Sequence, residues 1–288
     1  LLRHVSDAFA EDPVRILRLA RFAARYAHLG FTVADETMAL MREMVAAGEV
    51  DALVPERVWK EFERALTELH PRRFIEVLRE AGALARIMPE IDALFGVPQR
   101  ADYHPEVDSG LHALLTLDSA CALTADTQVR FAALVHDLGK ALSPAESLPS
   151  HHGHEEAGVK PVKSLCNRLG SPKAYKDLAV LASRFHTHIH RASELKPSTI
   201  LKLFSQTDAY RRPERFEQLL LVCLADKRGR TGLEEMGYPQ AEQFRRWLDA
   251  AGKVDISDLI EAGAQGPQIA NELHKRRLAT IKGLAHND

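Results

Sequence analysis

Cysteine is nearly missing from this chain: three in 288 residues, Cys121, Cys166 and Cys223, each isolated in an apolar run. That excludes a disulfide frame and a thiolate metal site, and predicts buried, reduced thiols in a cytoplasmic protein. No apolar run approaches the ~20 residues that a bilayer span needs, and no secretory leader is visible, so no membrane role is expected. Neither sign of charge prevails, with 38 Lys and Arg against 40 Asp and Glu and a net charge of -2. Bulk charge therefore does not advertise a nucleic-acid binder. Three local basic clusters, RRPER at 211–215, KRGR at 227–230 and HKRR at 274–277, taken alone read as solvated helix surface. Alternating strand-like runs are scarce, and neither an internal repeat nor a low-complexity tract is found.

What is present is helical periodicity in a composition ordinary for a globular protein, 45% apolar and 27% charged. Apolar residues recur at spacings of three and four almost throughout. Asp12-Pro13 predicts a helix start, with Asp as cap and Pro in the first turn, and Gly30 its end. Asp35 is expected to cap a helix through Met44. Pro55 and Pro71 open two more, the second running unbroken toward Pro89. The turn-rich stretch GVPQRADYHPEVD at 96–108 is the best boundary candidate. Beyond it, helices are predicted around His112, up to His136-Asp137, after the polar loop SPAESLPSHHG, through His186, and up to Asp226. Pro161 should kink its helix or lie in its start. The expected fold is all-α: an elongated multi-helix neck (1–50) and body (51–98), a helical domain over 99–228 with its core at about 109–210, and a helical tail (229–288).

Nine of the 14 histidines lie between positions 104 and 190. In order, the candidates are His112, His136-Asp137 within VHDLGK, His151, His152 and His154 within SHHGHEE, His186 with His188 and His190 behind it, and Asp226. Each has an ordinary reading. A lone His on an apolar helix is usually a hydrogen-bonded core residue, His188 and His190 suit a surface, and Asp226 suits a helix end near Lys227. The order His, His-Asp, His, His, Asp on separate helices argues otherwise. Imidazole with carboxylate makes a mixed nitrogen and oxygen shell fit for Mn, Fe, Ni, Co, Zn or Mg. Such an ion acidifies a water and neutralises charge on a phosphoryl group. Adjacent helical residues point about 100° apart, so His136 and Asp137 can share an ion only near a helix end, which Gly139 is expected to supply. Lys140 is placed to add positive charge for a phosphate.

HDLGK, flanked by His112 and Asp226, resembles the HD superfamily of metal-dependent phosphohydrolases over about 105–228. The resemblance implies His112, His136, Asp137 and Asp226 as the metal shell and His136, Asp137 and Lys140 as catalytic. It also matches His154 and His186 to extra ligand positions, with His152 open as the alternative to His154. A family His-Asp position reads His186-Thr187 here, so no carboxylate is expected from that helix.

Near the N-terminus stands Glu11-Asp12-Pro13-Val14-Arg15, followed by Arg18 and Arg21. Helix capping and surface charge explain it without further function. A second chemistry is open: a carboxylate accepts from an exocyclic amino group while an arginine donates to a neighbouring ring acceptor, which admits C and A and rejects U and G. Arg15 and Arg18 could share that pocket, with Arg21 further round on phosphate or another domain. EDPVRILRLARFAARY resembles the neck of bacterial class II CCA-adding enzymes (tRNA nucleotidyltransferases), and the likeness continues through PERVWKEFERAL, MPEIDALFGVPQ, YHPEVDSGLH, FAALVHDLGK and KRGRTG. It is strongest toward the multifunctional group in gammaproteobacteria and betaproteobacteria, which carries an HD region.

That resemblance implies Asp12 and Arg15 as the base-reading pair, Glu11 as support, and Arg18 and Arg21 on ATP or CTP. It implies tRNA as partner, and 2',3'-cyclic phosphodiesterase, 2'-nucleotidase and phosphatase activities on 2',3'-cyclic and 2'-phosphorylated nucleotides. It implies Ni or Mg (Mn possible) in the HD centre, Mg with ATP and CTP in an intact parent, and a monomer or homodimer. No Gly-Gly loop with a downstream Asp-x-Asp pair precedes Leu1, so the nucleotidyltransferase head is expected to be missing and transfer activity is not expected from this chain alone. A stand-alone HD nucleotidase and a non-catalytic tRNA-binding helical module are the alternatives.

Overall fold

In the computed structural model, which describes residues 1–285, the chain is all-α, as its periodicity predicts. Extended pairing among the described residues is confined to two isolated bridges, Leu2 with Val33 and Pro98 with Asp108. The helices are α1 (Val14–Tyr26), α2 (Asp35–Ala46), α3 (Pro55–Thr67), α4 (Arg72–Glu80), α5 (Ala83–Ile87), α6 (Pro89–Asp92), α7 (Ser109–Leu123) and α8 (Thr127–Val135). They continue with α9 (His154–Ala157), α10 (Val159–Leu169), α11 (Lys173–His190), α12 (Pro197–Thr207), α13 (Pro213–Arg228), α14 (Pro239–Gly252), α15 (Ser257–Glu261) and α16 (Gly266–Ala285). None of these is long and apolar enough to cross a membrane.

Two compact units divide the chain, one of Leu1–His186 with Leu221–Met236, the other of Thr187–Leu220 with Gly237–Asp288. The division falls inside α11 and α13, and the irregular stretch 96–108 has the first unit on both sides. In the first unit α1 packs on α3 and α4, and α7 on α8. On α3 the buried residues Val58, Trp59, Phe62, Ala65 and Leu66 recur at helical spacing and form one apolar stripe. Phe62 stacks on Phe74 and meets Phe131 edge-on, while Trp59 meets Phe131 and Tyr175 edge-on. These rings tie α3 to α4, α8 and α11 with the geometry that aromatic quadrupoles prefer. Arg130 is buried and donates to Leu66 O (2.7 Å), in the last turn of α3, and to Thr124 O (2.9 Å), just after α7. In the second unit α16 packs on α12 and α14 over a core of Phe204, Phe216, Phe244 and Trp247.

Several local expectations are refined. Asp12 does accept from Val14 N (3.1 Å), but a 3-10 turn, Asp7–Glu11, precedes it. Asp35 is the first residue of α2 and makes no capping bond. The helix opened by Pro71 breaks at Gly82, whose φ of 76° is left-handed, so α4 and α5 are separate. Pro161 lies in the first turn of α10, where its missing N–H costs nothing. Of the cysteines, Cys166 and Cys223 are buried and Cys121 is half-buried; none of the three is in a disulfide.

Candidate metal centre

Asp108 begins the site. Its side chain accepts from Leu111 N (2.8 Å) and caps α7, whose first turn then carries His112 inward with no exposed surface. Asp126 caps α8 likewise, accepting from Gln128 N (2.8 Å). Every residue of α8 from Val129 to Val135 is buried, and the helix delivers His136 and Asp137 at its end. The end comes at Val135, not at Gly139. Gly139 lies in a 3-10 turn (Leu138–Leu142), and a Cβ there would fall 1.9 Å from His154 O. Its role is close approach, bringing the backbone at His154 against the His-Asp pair.

Six predicted residues converge. Asp137 is central: Oδ2 lies 3.2 Å from His136 Nε2 and 3.9 Å from His112 Nε2, while Oδ1 lies 3.2 Å from His154 Nε2 and 3.4 Å from His186 Nε2. Asp226 reaches in from α13, 3.0 Å from His112 Nε2 and 3.7 Å from His136 Nε2. Among these six residues, three triads have donor atoms within 4.8 Å of one another: His112, His136, Asp137; His136, His186, Asp226; and Asp137, His154, His186; a fourth triad, His104, Glu106 and His112, adjoins them. His154 makes these contacts, whereas His152 is exposed. His190 hydrogen-bonds Tyr238 Oη (2.8 Å), and His188 is exposed.

The imidazoles are oriented from behind. Nδ1 of His136, His154 and His186 donates to Ala133 O (2.7 Å), His151 O (2.6 Å) and Ala182 O (2.9 Å), which leaves each Nε2 inward as an acceptor. This is the outer-shell pattern of metal-ligating histidines. His136 Nε2 and Asp137 Oδ1 are buried without a hydrogen-bond partner. Orphaned acceptors of this kind are costly unless a cation or water satisfies them, so the donor set fits a divalent ion of oxygen and nitrogen preference.

Stretch 96–108 supplies groups that sequence reasoning missed. Glu106, fully buried at its side chain, places Oε1 2.9 Å from His112 Nδ1 and 3.0 Å from His104 Nδ1. Burial would raise its pKa, but the hydrogen bonds with His104 and His112 outweigh that and hold the carboxyl well below its ordinary range. Burial also pushes His104 down to about 4, against its bond to Glu106. Asp137 is likewise held low: burial opposes its charge, and the positive charge of Lys140 beside it helps to more than compensate. Lys140 Nζ sits 2.6 Å from Asp137 Oδ2 and donates to Gln99 Oε1 (2.7 Å). Arg230 Nη2 lies 3.2 Å from Asp226 Oδ1, so the KRGR cluster is not wholly solvated surface. The one available signal for Glu106 was its His-x-Glu spacing with His104; no periodicity marks a turn-rich stretch.

The Glu11–Arg21 segment is not drawn together in the same way. Asp12 Oδ2 pairs with Arg57 Nη2 (2.6 Å), a residue of α3. Arg15 lies 3.9 Å from Glu11, and Arg18 is exposed. Arg21 departs from expectation: it is buried, 2.7 Å from Glu61 and 3.6 Å from Glu68, so its guanidinium is committed to α3 and the turn after it.

Two family models match the chain. Residues 30–95 match the probable RNA and SrmB-binding site of polymerase A, and residues 110–230 match the HD domain. The multifunctional CCA protein of Thioalkalivibrio sulfidiphilus is 60% identical over 284 residues, 99% of this chain and 69% of that protein. This chain belongs to the multifunctional CCA protein family. The family member of Nitrosococcus oceani is 58% identical over the whole chain, which covers 70% of its length. Among solved structures, a CCA-adding enzyme in complex with CTP shares the fold at a TM-score of 0.56 and 16% identity, over 97% of this chain and 58% of the other.

Proposed function

We propose that this chain serves tRNA 3'-end processing as the neck (1–50), body (51–98), HD domain (99–228) and tail (229–288) of a CCA-adding enzyme, and that its HD centre is a metal-dependent phosphohydrolase. Membership of the multifunctional CCA family supports the first half. The burial of two carboxylates and three imidazoles around orphaned acceptors, with His154 half-buried beside them, carries the second. Holding those carboxylates away from water costs several kcal/mol each unless cations compensate, and Lys140 and Arg230 together are too few to satisfy His136 Nε2 as well.

His112, His136, Asp137, His154, His186 and Asp226 would hold the ion, with Ni, Mg and Mn as candidates. Bound there, it supplies Lewis acidity toward phosphoryl oxygens and acidifies a water. Glu106 holds His112 in the tautomer that presents Nε2, and the carbonyls of Ala133, His151 and Ala182 do the same for three other rings. Lys140 offers charge and N–H donors beside Asp137. The substrates are a 2',3'-cyclic phosphate and a 2'-phosphate. In the cyclic case a water oxygen bonds to phosphorus, one ribose ester bond breaks, and the released ribose oxygen takes up a proton. Asp12 and Arg15 form the base-reading pair for CTP and ATP in an intact parent, with Glu11 and Arg18 beside them; Arg21 fixes α1 to α3 instead. Purified chain with Ni2+ or Mg2+ should hydrolyse 2',3'-cyclic AMP, and the double variant His136→Ala, Asp137→Ala should not. Equal rates would overturn the phosphohydrolase reading.

A further inference from the structure

We propose that Arg230 is a catalytic residue of the HD centre, donating from its guanidinium to the phosphoryl oxygens of the substrate. The inference rests on the phosphohydrolase reading and adds an anion subsite to it. Arg230 is only 14% exposed at its side chain and sits where α13 has just ended. Gly229 makes that position possible: a Cβ there would fall 2.6 Å from Thr116 Cα and 2.7 Å from Thr116 N, so the chain runs directly against α7 one turn beyond His112. The guanidinium is thereby lodged beside the cluster.

Its donors are underused. Nη2 serves Asp226 Oδ1 at 3.2 Å, Nη1 has only a long contact to Tyr103 O (3.4 Å), and Nε is buried with no hydrogen-bond partner. A planar fork with spare N–H groups is the side chain best matched to a phosphate edge. Lys140 stands on Asp137 and Arg230 on Asp226, and both carboxylates face the same two imidazoles, His112 and His136. Each of the two carboxylates of the cluster therefore carries one cation with N–H groups to offer an anion. The rival role, mere neutralisation of Asp226, leaves Nε unexplained.

Two readouts on the full chain loaded with Mn2+ separate these roles: orthophosphate binding by calorimetry and hydrolysis of 2',3'-cyclic AMP. Arg230→Gln should weaken orthophosphate about tenfold and lower kcat/KM by roughly 100-fold, the scale of losing one preorganised donor to developing negative charge. Mn2+ affinity should stay within about threefold, and Arg230→Lys should recover part of the loss, charge without the fork. Unchanged orthophosphate binding in Arg230→Gln would overturn the proposal, as would a loss that follows loss of Mn2+. If Arg230→Gln fails to fold, Arg230→Lys decides: weakened orthophosphate at normal Mn2+ affinity supports the subsite, and wild-type binding removes it. A wild-type chain that binds orthophosphate through Arg230 yet hydrolyses nothing would end the phosphohydrolase reading and keep the anion subsite.

Discussion

The His-Asp centre and the Glu11–Arg21 segment are both short strings of polar residues in one compact unit, and the fold handles them in opposite ways. At the centre, groups from α7, the end of α8, α9, α11 and α13 are buried together, with two acceptors left empty-handed. In the segment, Arg18 stays in water, Asp12 is half-buried against Arg57, and Arg21 alone goes inside, where two carboxylates meet it. Burial is what separates the cases. An exposed charge costs little and proves little, whereas a buried one must be compensated. Arg21 is compensated by the protein. The centre is compensated only in part, and the remainder is the argument for a ligand.

The largest expected effect breaks the comparison from the segment's side. Arg21→Met leaves Glu61 only the longer contact to the half-exposed Arg64 (3.6 Å) and should cost up to about 3–5 kcal/mol, the scale of broken buried pairs, read as a lowered urea midpoint. At the centre, Asp137→Asn should abolish metal binding beyond the ~100-fold that changes to outer-shell partners reach, read by calorimetry with Mn2+ or Ni2+. Glu106→Gln tests the support behind His112 and should weaken the same metal by ~10–100-fold with the fold intact by circular dichroism. Arg18→Ala should move stability by no more than about 0.5 kcal/mol. The smallest effect sharpens the contrast: Arg57→Gln should return the Asp12 carboxyl, now held low chiefly by its hydrogen bond from Arg57, toward its ordinary 3.8 in an NMR titration. The sign follows from removing the partner that favours the charged form.

The helical periodicity, the Pro and Gly punctuation and the six residues that converge at the His-Asp centre were legible in the sequence because they repeat or carry rare chemistry. Gly82 was missed as a break since a single glycine inside an apolar pattern is tolerated in many helices. Gly139 was misread as a helix stop, because close approach to His154 O is a tertiary fact that no local spacing records. Glu106, Gln99 and Arg230 were missed for the same reason. They lie in or just past irregular backbone, and their partners are distant in the chain: Lys140 is 41 residues from Gln99. Whether His152 or His154 faced the cluster could be read only after Gly139 fixed the approach.

Anomalous diffraction from crystals of the full chain grown with Mn2+ tests the central claim most directly. The account predicts a peak within coordinating distance of His136 Nε2 and Asp137 Oδ1, the two acceptors now without partners. Anomalous density at neither atom, with the six side chains retaining their present contacts, would contradict it.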